Sequence, residues 1–198
     1  MATFTDMLER FAIVTVMNAK VYDEVPTKQQ DGYMTPVEFV AAVEATEELC
    51  TLDTLKIANV TMEGPSKTVT GGQYTNPLVK FGKTARLEMQ DALGSSKAIE
   101  ALCGGIVDTN TLSFGANFEG PKTIIGETFF IDQKTGDQVP VKIVFYSFLP
   151  DSLFNLTQDA EGDATVFDMN GDLLTTTVKI GDKEQGLFYS IVDGAVAA

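Results

Sequence analysis

The chain has 198 residues, enough for one large domain, and its 44% hydrophobic content is sufficient for a packed core. Its 28 acidic and 14 basic residues give a net charge of −14, which disfavours a module that binds nucleic acid or an anionic membrane through a basic surface. Because the chain contains no histidine, Ser-His-Asp and Cys-His catalysis and most zinc sites are excluded.

The two cysteines and the N-terminal residues argue against further classes of protein. Cys50 and Cys103 are too few for a zinc cluster or a disulfide framework, so we expect two thiols packed as small apolar groups in a reducing compartment. The N-terminus lacks the basic start of a signal peptide, and the apolar stretch over residues 11–22 is interrupted by Asn18 and Lys20. These features predict a soluble, intracellular protein with no membrane segment.

The first part of the chain predicts a short helix, a strand and a loop. Thr5 is positioned to cap a helix that begins at Asp6. Residues 11–22 are rich in β-branched side chains and predict a strand. Residues 24–33 are polar and include Asp31-Gly32, a pair that is typical of turns, so they predict a loop.

The segment from 35 to 49 supports two interpretations. Thr35 as the cap, Pro36 at the first helical position and Glu38 three residues after the cap together favour a helix. The apolar residues between positions 37 and 45 alternate as they would in a strand. We favour the helix.

A strand, a long loop and a second strand are predicted next. Residues 51–63 form an apolar pattern whose alternation slips once at Asp53-Thr54, where we expect a bulge. Residues 64–80 are rich in glycine, proline and polar side chains and predict a loop. Residues 82–90 alternate cleanly, with one apolar side formed by Ala85, Leu87 and Met89.

The remainder of the chain predicts one helix followed by several strands. Ser95 or Ser96 caps a helix that ends at Gly104-Gly105. Five strands follow between residues 122 and 192, with turns at residues 133–138 and at Asn170-Gly171, the strongest hairpin signal in the chain. Many short strands and one clear helix predict a β-sandwich or barrel that carries a helix.

Three candidate sites for chemistry fail on spacing or context. Lys67-Thr68 does not follow a glycine and precedes no helix, so residues 63–73 lack the features of a phosphate-binding loop. Residues 168–172 resemble the start of a calcium loop, but Leu173 occupies the sixth position and Lys179 the twelfth, which favours a hairpin turn. The acidic cluster over 159–163 is typical of a solvated turn, although it could bind a cation weakly. No cofactor, metal or catalytic residue is therefore predicted, and a structural or binding protein is the main class.

The order of the segments resembles the tail tube proteins of long-tailed bacteriophages and of phage-tail-like particles of Gram-positive bacteria. The stretches that carry the resemblance are VTVMNAKVYD, LDTLKIANVTMEGPSKTVTGGQYTNPLVKFGKTARLEMQDAL, SSKAIEALCGG, GETFFIDQKTGDQVPVKIVFYSFLPD and GDATVFDMNGDLL. The resemblance covers residues 4–191 and is carried by composition and order rather than by catalytic motifs. Residues 24–48 match it least well, and we interpret them as an insertion.

The resemblance implies one tail tube domain over residues 1–198, mainly β, with two packed antiparallel sheets forming a barrel-like sandwich flanked by an α-helix. It implies that six copies form a ring, that rings stack into a hollow tube, and that DNA passes through the tube without specific binding. Six copies at −14 each carry −84, a charge that repels the phosphate backbone. The implied location is the tail of the virion, assembled in the cytoplasm of the host bacterium together with other phage tail proteins.

The resemblance also implies two sets of functional residues. The loop over residues 64–80 would pack on the adjacent ring through Gly64, Ser66, Lys67, Thr68, Gly71, Gly72, Tyr74, Asn76 and Lys80. The polar side of the 82–90 strand would face the lumen through Arg86, Glu88 and Gln90, although an ordinary solvent-facing surface is an equal alternative. The rival functions are another virion protein, such as a head-tail connector or decoration protein, and a metal-dependent hydrolase with an acidic site.

Overall fold

The computed structural model describes residues 3–7, 12–13, 18–53, 55–64, 66–68, 78–80, 82–91, 95–114, 119–132, 135–151 and 167–195. Three helices lie in these ranges: α1 (Phe4–Met7), α2 (Pro36–Glu44) and α3 (Ser96–Cys103). The strands of the first half are β1 (Ala12–Ile13), β2 (Asn18–Asp23), β3 (Lys28–Gln29), β4 (Gly32–Tyr33), β5 (Glu48–Leu52), β6 (Leu55–Glu63), β7 (Ser66–Thr68), β8 (Leu78–Lys80) and β9 (Thr84–Asp91). Those of the second half are β10 (Gly105–Asp108), β11 (Thr111–Phe114), β12 (Lys122–Ile131), β13 (Gln138–Pro150), β14 (Phe167–Leu173), β15 (Thr176–Ile180), β16 (Lys183–Leu187) and β17 (Tyr189–Asp193).

A nine-stranded antiparallel sheet forms the centre of the molecule. Its strand order is β5-β2-β12-β13-β14-β9-β6, with β1 beside β12 and β17 beside β13. The long hairpin of β12 and β13 forms the middle of the sheet, and the chain reverses between Ile131 and Gln138, where the sequence predicts a turn over residues 133–138. Four two-stranded sheets accompany it: β3-β4, β7-β8, β10-β11 and β15-β16. The protein is therefore mainly β, as predicted.

The sheet is rolled, because its two outer strands are neighbours in the sequence. Only Asp53 and Thr54 separate β5 from β6, and a link of this length spans at most about 11 Å. In a flat sheet the same strands would lie about 29 Å apart, at six strand spacings. No ladder joins β5 to β6 in the described ranges, so the rolled sheet is not a closed barrel. The irregularity expected near Asp53-Thr54 lies slightly later, because the register against β9 shifts between Leu55 and Ile57, after the chain has left its pairing with β2.

Alternating side chains divide the core between the two faces of the sheet. One cluster contains Val21, Leu87, Ile124 and Phe148, together with apolar residues of α3. The other cluster lies on the opposite face and contains residues of α2 and β15. Adjacent residues such as Ile124 and Ile125 belong to different clusters, as strand geometry requires. The sheet is thus buried on both faces along β2, β12 and β13.

The helix prediction for the 35–49 segment is confirmed over Pro36–Glu44. Thr35 and Glu38 form a reciprocal capping box: the Glu38 N–H donates to the Thr35 hydroxyl at 3.3 Å, and the Thr35 N–H donates to the Glu38 carboxylate at 2.8 Å. The Thr35 N–H and the Thr35 hydroxyl both donate to the Glu38 carboxylate, and these two hydrogen bonds hold the pKa of Glu38 below its ordinary value. Phe39 packs on Tyr146, with ring centroids 5.1 Å apart. Whether residues 24–48 are an insertion stays a prediction, but their buried side chains belong to the core.

The second helix is also confirmed, with both predicted end signals. Ser95 caps α3, its hydroxyl accepting from the Ala98 N–H at 3.0 Å, and Gly104 ends it in the left-handed conformation at φ 67°. The next residues form the β10-β11 hairpin, which the sequence did not predict. Its apolar residues are exposed rather than alternating between core and solvent, so no burial pattern marks it.

Several other predictions need correction. The Asn170-Gly171 pair lies inside β14 and not in a turn. Residues 64–80 are not entirely a loop, because β7 pairs with β8. The β3-β4 turn consists of Gln30-Asp31, one residue before the predicted position.

Element boundaries also shift near both ends of the chain. Helix α1 begins at Phe4, before the predicted start at Asp6. The strand predicted over 11–22 is observed as β1 and β2, and residues 14–17 lie outside the described residues. The last predicted strand is divided between β16 and β17.

Candidate functional site

One face of the strands β14, β9 and β6 carries polar side chains in aligned rows. The register places Asp172, Arg86 and Thr61 in one row, Asn170, Glu88 and Asn59 in the next, and Asp168 opposite Gln90 in a third. These residues lie on the face opposite Leu87 and Met89, which are buried in the core. We call this surface the polar sheet face and define it as Asn59, Thr61, Arg86, Glu88, Gln90, Asp168, Asn170 and Asp172.

Arg86 is the centre of an ion-pair network on the polar sheet face. Its guanidinium binds the Asp151 carboxylate at the end of β13, lies 3.3 Å from Asp172 Oδ1 and lies 4.0 Å from Glu88 Oε1. The hydrogen bond to Asp151, together with the charges of Asp151 and Asp172, raises the pKa of Arg86 above its ordinary value. The arginine is therefore held against carboxylates and offers little free positive charge to a phosphate.

The polar sheet face has a net negative charge. Glu88 and Asp172 are exposed, and Asp168 accepts a hydrogen bond from Gln90 Nε2 at 2.9 Å. With Asp151 at the border, three carboxylates lie against the Arg86 guanidinium and Asp168 lies further along the face, so these five groups carry a net charge of −3.

The structure brings the three predicted lumen residues together, because Arg86, Glu88 and Gln90 alternate along β9. Sequence reasoning missed their acidic partners. Asp168 and Asp172 were assigned to a turn, although their spacing of four residues also fits one face of a strand. Asp151 follows the predicted strand that is now β13 and carried no signal of its own.

Strand β6 is an edge of the main sheet. In the described ranges its inner side pairs with β9 and no strand pairs with its outer side. Val60 and Met62 lie on the apolar face of this strand and are 36% and 48% exposed. An exposed edge with apolar side chains is a surface on which another chain can add a strand.

The segment that connects β6 to β9, residues 64–83, contains a separate pair of strands, and we call this segment the arm. After β6 ends, β7 pairs with β8 before the chain returns to β9, with Ser66, Lys67 and Thr68 opposite Lys80, Val79 and Leu78. Gly64 is exposed at the start of this arm. The other residues predicted to stack on a neighbouring ring, Gly71, Gly72, Tyr74 and Asn76, lie outside the described residues.

The charge of the arm differs from that of the rest of the chain. Residues 64–83 contain Lys67, Lys80 and Lys83 and no aspartate or glutamate. The chain as a whole has twice as many acidic as basic residues. The arm is therefore a basic segment in an acidic protein.

The described residues also bear on metal binding, membrane insertion and thiol chemistry. Within the described ranges no group of three histidine, cysteine, aspartate or glutamate residues is arranged to hold a metal ion, and no helix has the length and apolarity needed to cross a bilayer. Cys50 and Cys103 are thiols rather than a disulfide, and burial raises the pKa of Cys103. Residues 168–172 form a strand and not a calcium loop, while the acidic cluster over 159–163 lies outside the described residues.

Comparisons with known proteins do not assign the chain to a family. No protein-family model matches it, and no curated protein matches it. Among solved structures it is similar to a chain of the "Cryo-EM structure of the anti-feeding prophage (AFP) baseplate, 6-fold symmetrised", with 7% sequence identity and a TM-score of 0.39. The similarity covers 98% of this chain and 98% of that chain. A match at this level does not assign a function, so the function is inferred from the residues themselves.

Proposed function

We propose that the protein is a tail tube protein, a non-enzymatic virion component whose hexameric rings stack into a negatively charged conduit for DNA. The observation that carries the proposal is the polar sheet face, on which the carboxylates outnumber the only guanidinium, Arg86, and hold it in ion pairs. A lumen lined in this way repels the phosphate backbone and gives it no basic group to bind. DNA can then slide past without being retained.

Pairing between the sheet edges of neighbouring subunits forms the ring. The outer side of β6 is available for a strand of the next subunit, and such pairing covers Val60 and Met62. Repeated around a closed ring of six copies, this contact removes the free edge from every subunit. The polar faces of neighbouring subunits then form one continuous inner wall.

The arm supplies the contact between rings. It joins the end of β6 to the start of β9, and it contains the residues that the resemblance implies for stacking. Glycines and polar residues let a segment of this kind adopt its final conformation upon contact with a neighbour. The described residues of this proposed contact are Gly64, Ser66, Lys67, Thr68 and Lys80.

Negative-stain electron microscopy of the purified protein tests the proposal. We expect six-fold rings at low protein concentration and hollow tubes at high concentration. Protein that stays monomeric at high concentration, measured in parallel by sedimentation velocity, would overturn the proposal. A closed ring that never extends into tubes would favour a head-tail connector instead.

A further inference from the structure

The β10-β11 hairpin carries four apolar side chains that are exposed. It is a sheet of two strands, and Ile106, Val107, Leu112 and Phe114 are 62%, 38%, 42% and 49% exposed. Two-stranded hairpins are marginally stable in water without a covering partner. Clustered apolar exposure of this kind marks an interaction surface.

Three of these residues share one face of the hairpin. The register places Gly105 opposite Phe114 and Val107 opposite Leu112, so all four lie on the same side. A Cβ added to Gly105 would lie 2.8 Å from Ile99 Cγ2, which shows that this side turns toward α3. We call Val107, Leu112 and Phe114 the hairpin face.

An acidic cleft begins at the base of the hairpin. Its volume is about 750 Å³, and it is lined by Gly105 together with residues of β2, β5, α3 and β12. Six carboxylates and two lysines line it, and one of the lysines, Lys122, is already bound to Asp23 at 2.9 Å and lies 3.6 Å from Glu119. The hairpin face therefore has an acidic border.

The arm is complementary to this surface in charge and in composition. Lys67 lies on β7, Lys80 lies on β8 and Lys83 precedes β9, with no acidic residue between positions 64 and 83. The same segment includes Leu78 and Val79, which are apolar. A basic and partly apolar strand pair suits an apolar hairpin with an acidic border.

The cleft and the arm lie at opposite ends of one run of chain. Strand β5 begins at Glu48, which lines the cleft, and β6 ends at Glu63, immediately before the arm. Six antiparallel pairings separate β5 from β6 in the sheet order, so the two strands run in the same sense. The end of β6, where the arm begins, therefore lies at the end of the sheet away from the cleft. Contact between the arm of one copy and the cleft of another is head-to-tail, a geometry that repeats into a stack.

We propose that the hairpin face and the acidic cleft receive the arm of a second copy of this chain. The inference rests on the proposed stacking of rings and names the surface on which the arm docks. The two lysines of β7 and β8 lie against Glu47 and Glu100 of the cleft, and the apolar residues of the arm cover the hairpin face.

A charge exchange tests the electrostatic part of the contact. The double variant Lys67→Glu/Lys80→Glu reverses the charge at two positions of the arm. The double variant Glu47→Lys/Glu100→Lys reverses the charge at two exposed positions of the cleft. We expect either pair alone to raise the protein concentration needed for tube growth by about tenfold or more, because like charges then meet. All four changes in one chain are expected to restore growth. Tube growth that is unchanged by the cleft reversal would overturn the inference.

The apolar part of the contact has its own matched pair of variants. Leu112 and Ile180 are both 42% exposed, and each lies on a two-stranded hairpin. We expect Leu112→Gln to impair tube growth and Ile180→Gln to leave it unchanged, with equal urea midpoints as the check on folding. Equal tube growth by the two variants would remove the hairpin face from the contact.

The outcomes separate this inference from the proposed function. Tubes that grow normally with a reversed cleft contradict the docking surface and leave the tube function intact. Open linear oligomers that respond to the charge exchange but never form rings support the docking surface and contradict the tube function.

Discussion

Gly171 is the residue whose role differs most from its sequence signal. It follows Asn170 in a pair that favours hairpin turns, yet β14 continues through both residues. A Cβ at this position would overlap the Leu149 backbone oxygen and lie 2.6–2.7 Å from the Phe148 ring. The glycine is therefore required by the close approach of β13.

Replacing Gly171 with alanine should destabilise the subunit. We expect the free energy of unfolding to fall by about 2 kcal/mol, because the new methyl group must displace a backbone atom and a buried ring. Urea denaturation measures the loss. Gly82 has nothing within 4 Å of an added Cβ, so Gly82→Ala should stay within about 0.5 kcal/mol of the parent protein. Equal midpoints for the two variants would contradict the packing at Gly171.

Tyr22 should titrate later than an ordinary tyrosine. Burial, and then the carboxylates of Glu44, Glu48 and Glu127, raise the pKa of Tyr22 from 10.0 to about 12. The neutral phenol is preferred in the folded state, so its stabilisation is present below pH 10 and is lost as the pH rises toward 12.

The tyrosinate absorbance of the folded protein measures this titration. Of the five tyrosines, Tyr22 should ionise near pH 12, and burial also raises the pKa of Tyr146. We therefore expect the absorbance change near pH 12 to be smaller in Tyr22→Phe than in the parent protein, with the remaining late change due to Tyr146. The same variant should lose less stability than the parent protein across this range of pH. A titration curve that the substitution leaves unchanged above pH 11 would contradict the assigned environment, since that range lies within about one unit of the raised pKa.

At the scale of elements, the sequence predicts a helix or strand correctly when the residues that determine it all lie within that element. Helix α2, helix α3 and strand β9 follow from caps and from periodicity within their own residues. The β10-β11 hairpin does not, because its apolar residues are exposed and leave no alternation of burial to mark its strands. The division of β5 from β6 does not either, because it depends on strand partners that are distant in the sequence. Alternation cannot show that the strand partner changes from β2 to β9 at Asp53-Thr54.

The capping box of α2 gives a prediction at this scale. Thr35→Ala should lower the free energy of unfolding by about 1 kcal/mol, because the Glu38 N–H loses its acceptor and the Glu38 carboxylate loses a donor. Thr35→Ser keeps the hydroxyl and should retain most of this stability. Urea denaturation of the three proteins measures both changes, and equal losses for alanine and serine would show that the hydroxyl is not the cause.

The β6 edge gives a second prediction for an element. Lysines at Val60 and Met62 should prevent ring formation without unfolding the subunit, because both sites are partly exposed and a charged edge resists strand addition. Sedimentation velocity measures the assembly state and circular dichroism the fold. Leu174, 40% exposed and outside the strands, provides the control Leu174→Lys, which should assemble. Rings formed by the Val60→Lys/Met62→Lys variant would exclude β6 from the subunit contact.

For the whole molecule, the sequence predicts the fold class and the alternation along single strands better than it predicts which distant residues meet in space. The mainly β class and the alternation that groups Arg86, Glu88 and Gln90 were accessible from the residues alone. The acids that pair with Arg86 were not, since Asp151 and Asp172 reach it only through the register of β13, β14 and β9. The contrast between a basic arm and an acidic cleft likewise requires knowledge of which segments meet in space.

Removing the arm tests how the whole subunit builds a tube. Deletion of residues 66–80 leaves Gly64, Pro65 and residues 81–83 between β6 and β9, a connection long enough for a hairpin. Since Glu63 at the end of β6 already pairs with Thr84 at the start of β9, we expect a folded subunit that still forms rings through its edges but does not stack them. Electron microscopy distinguishes rings from tubes. A second variant, in which residues 66–80 are replaced by a glycine-serine segment of equal length, separates the reach of the arm from its chemistry. Stacking restored by that neutral segment would show that length alone suffices, and tubes of normal length from the deletion would exclude the arm from stacking.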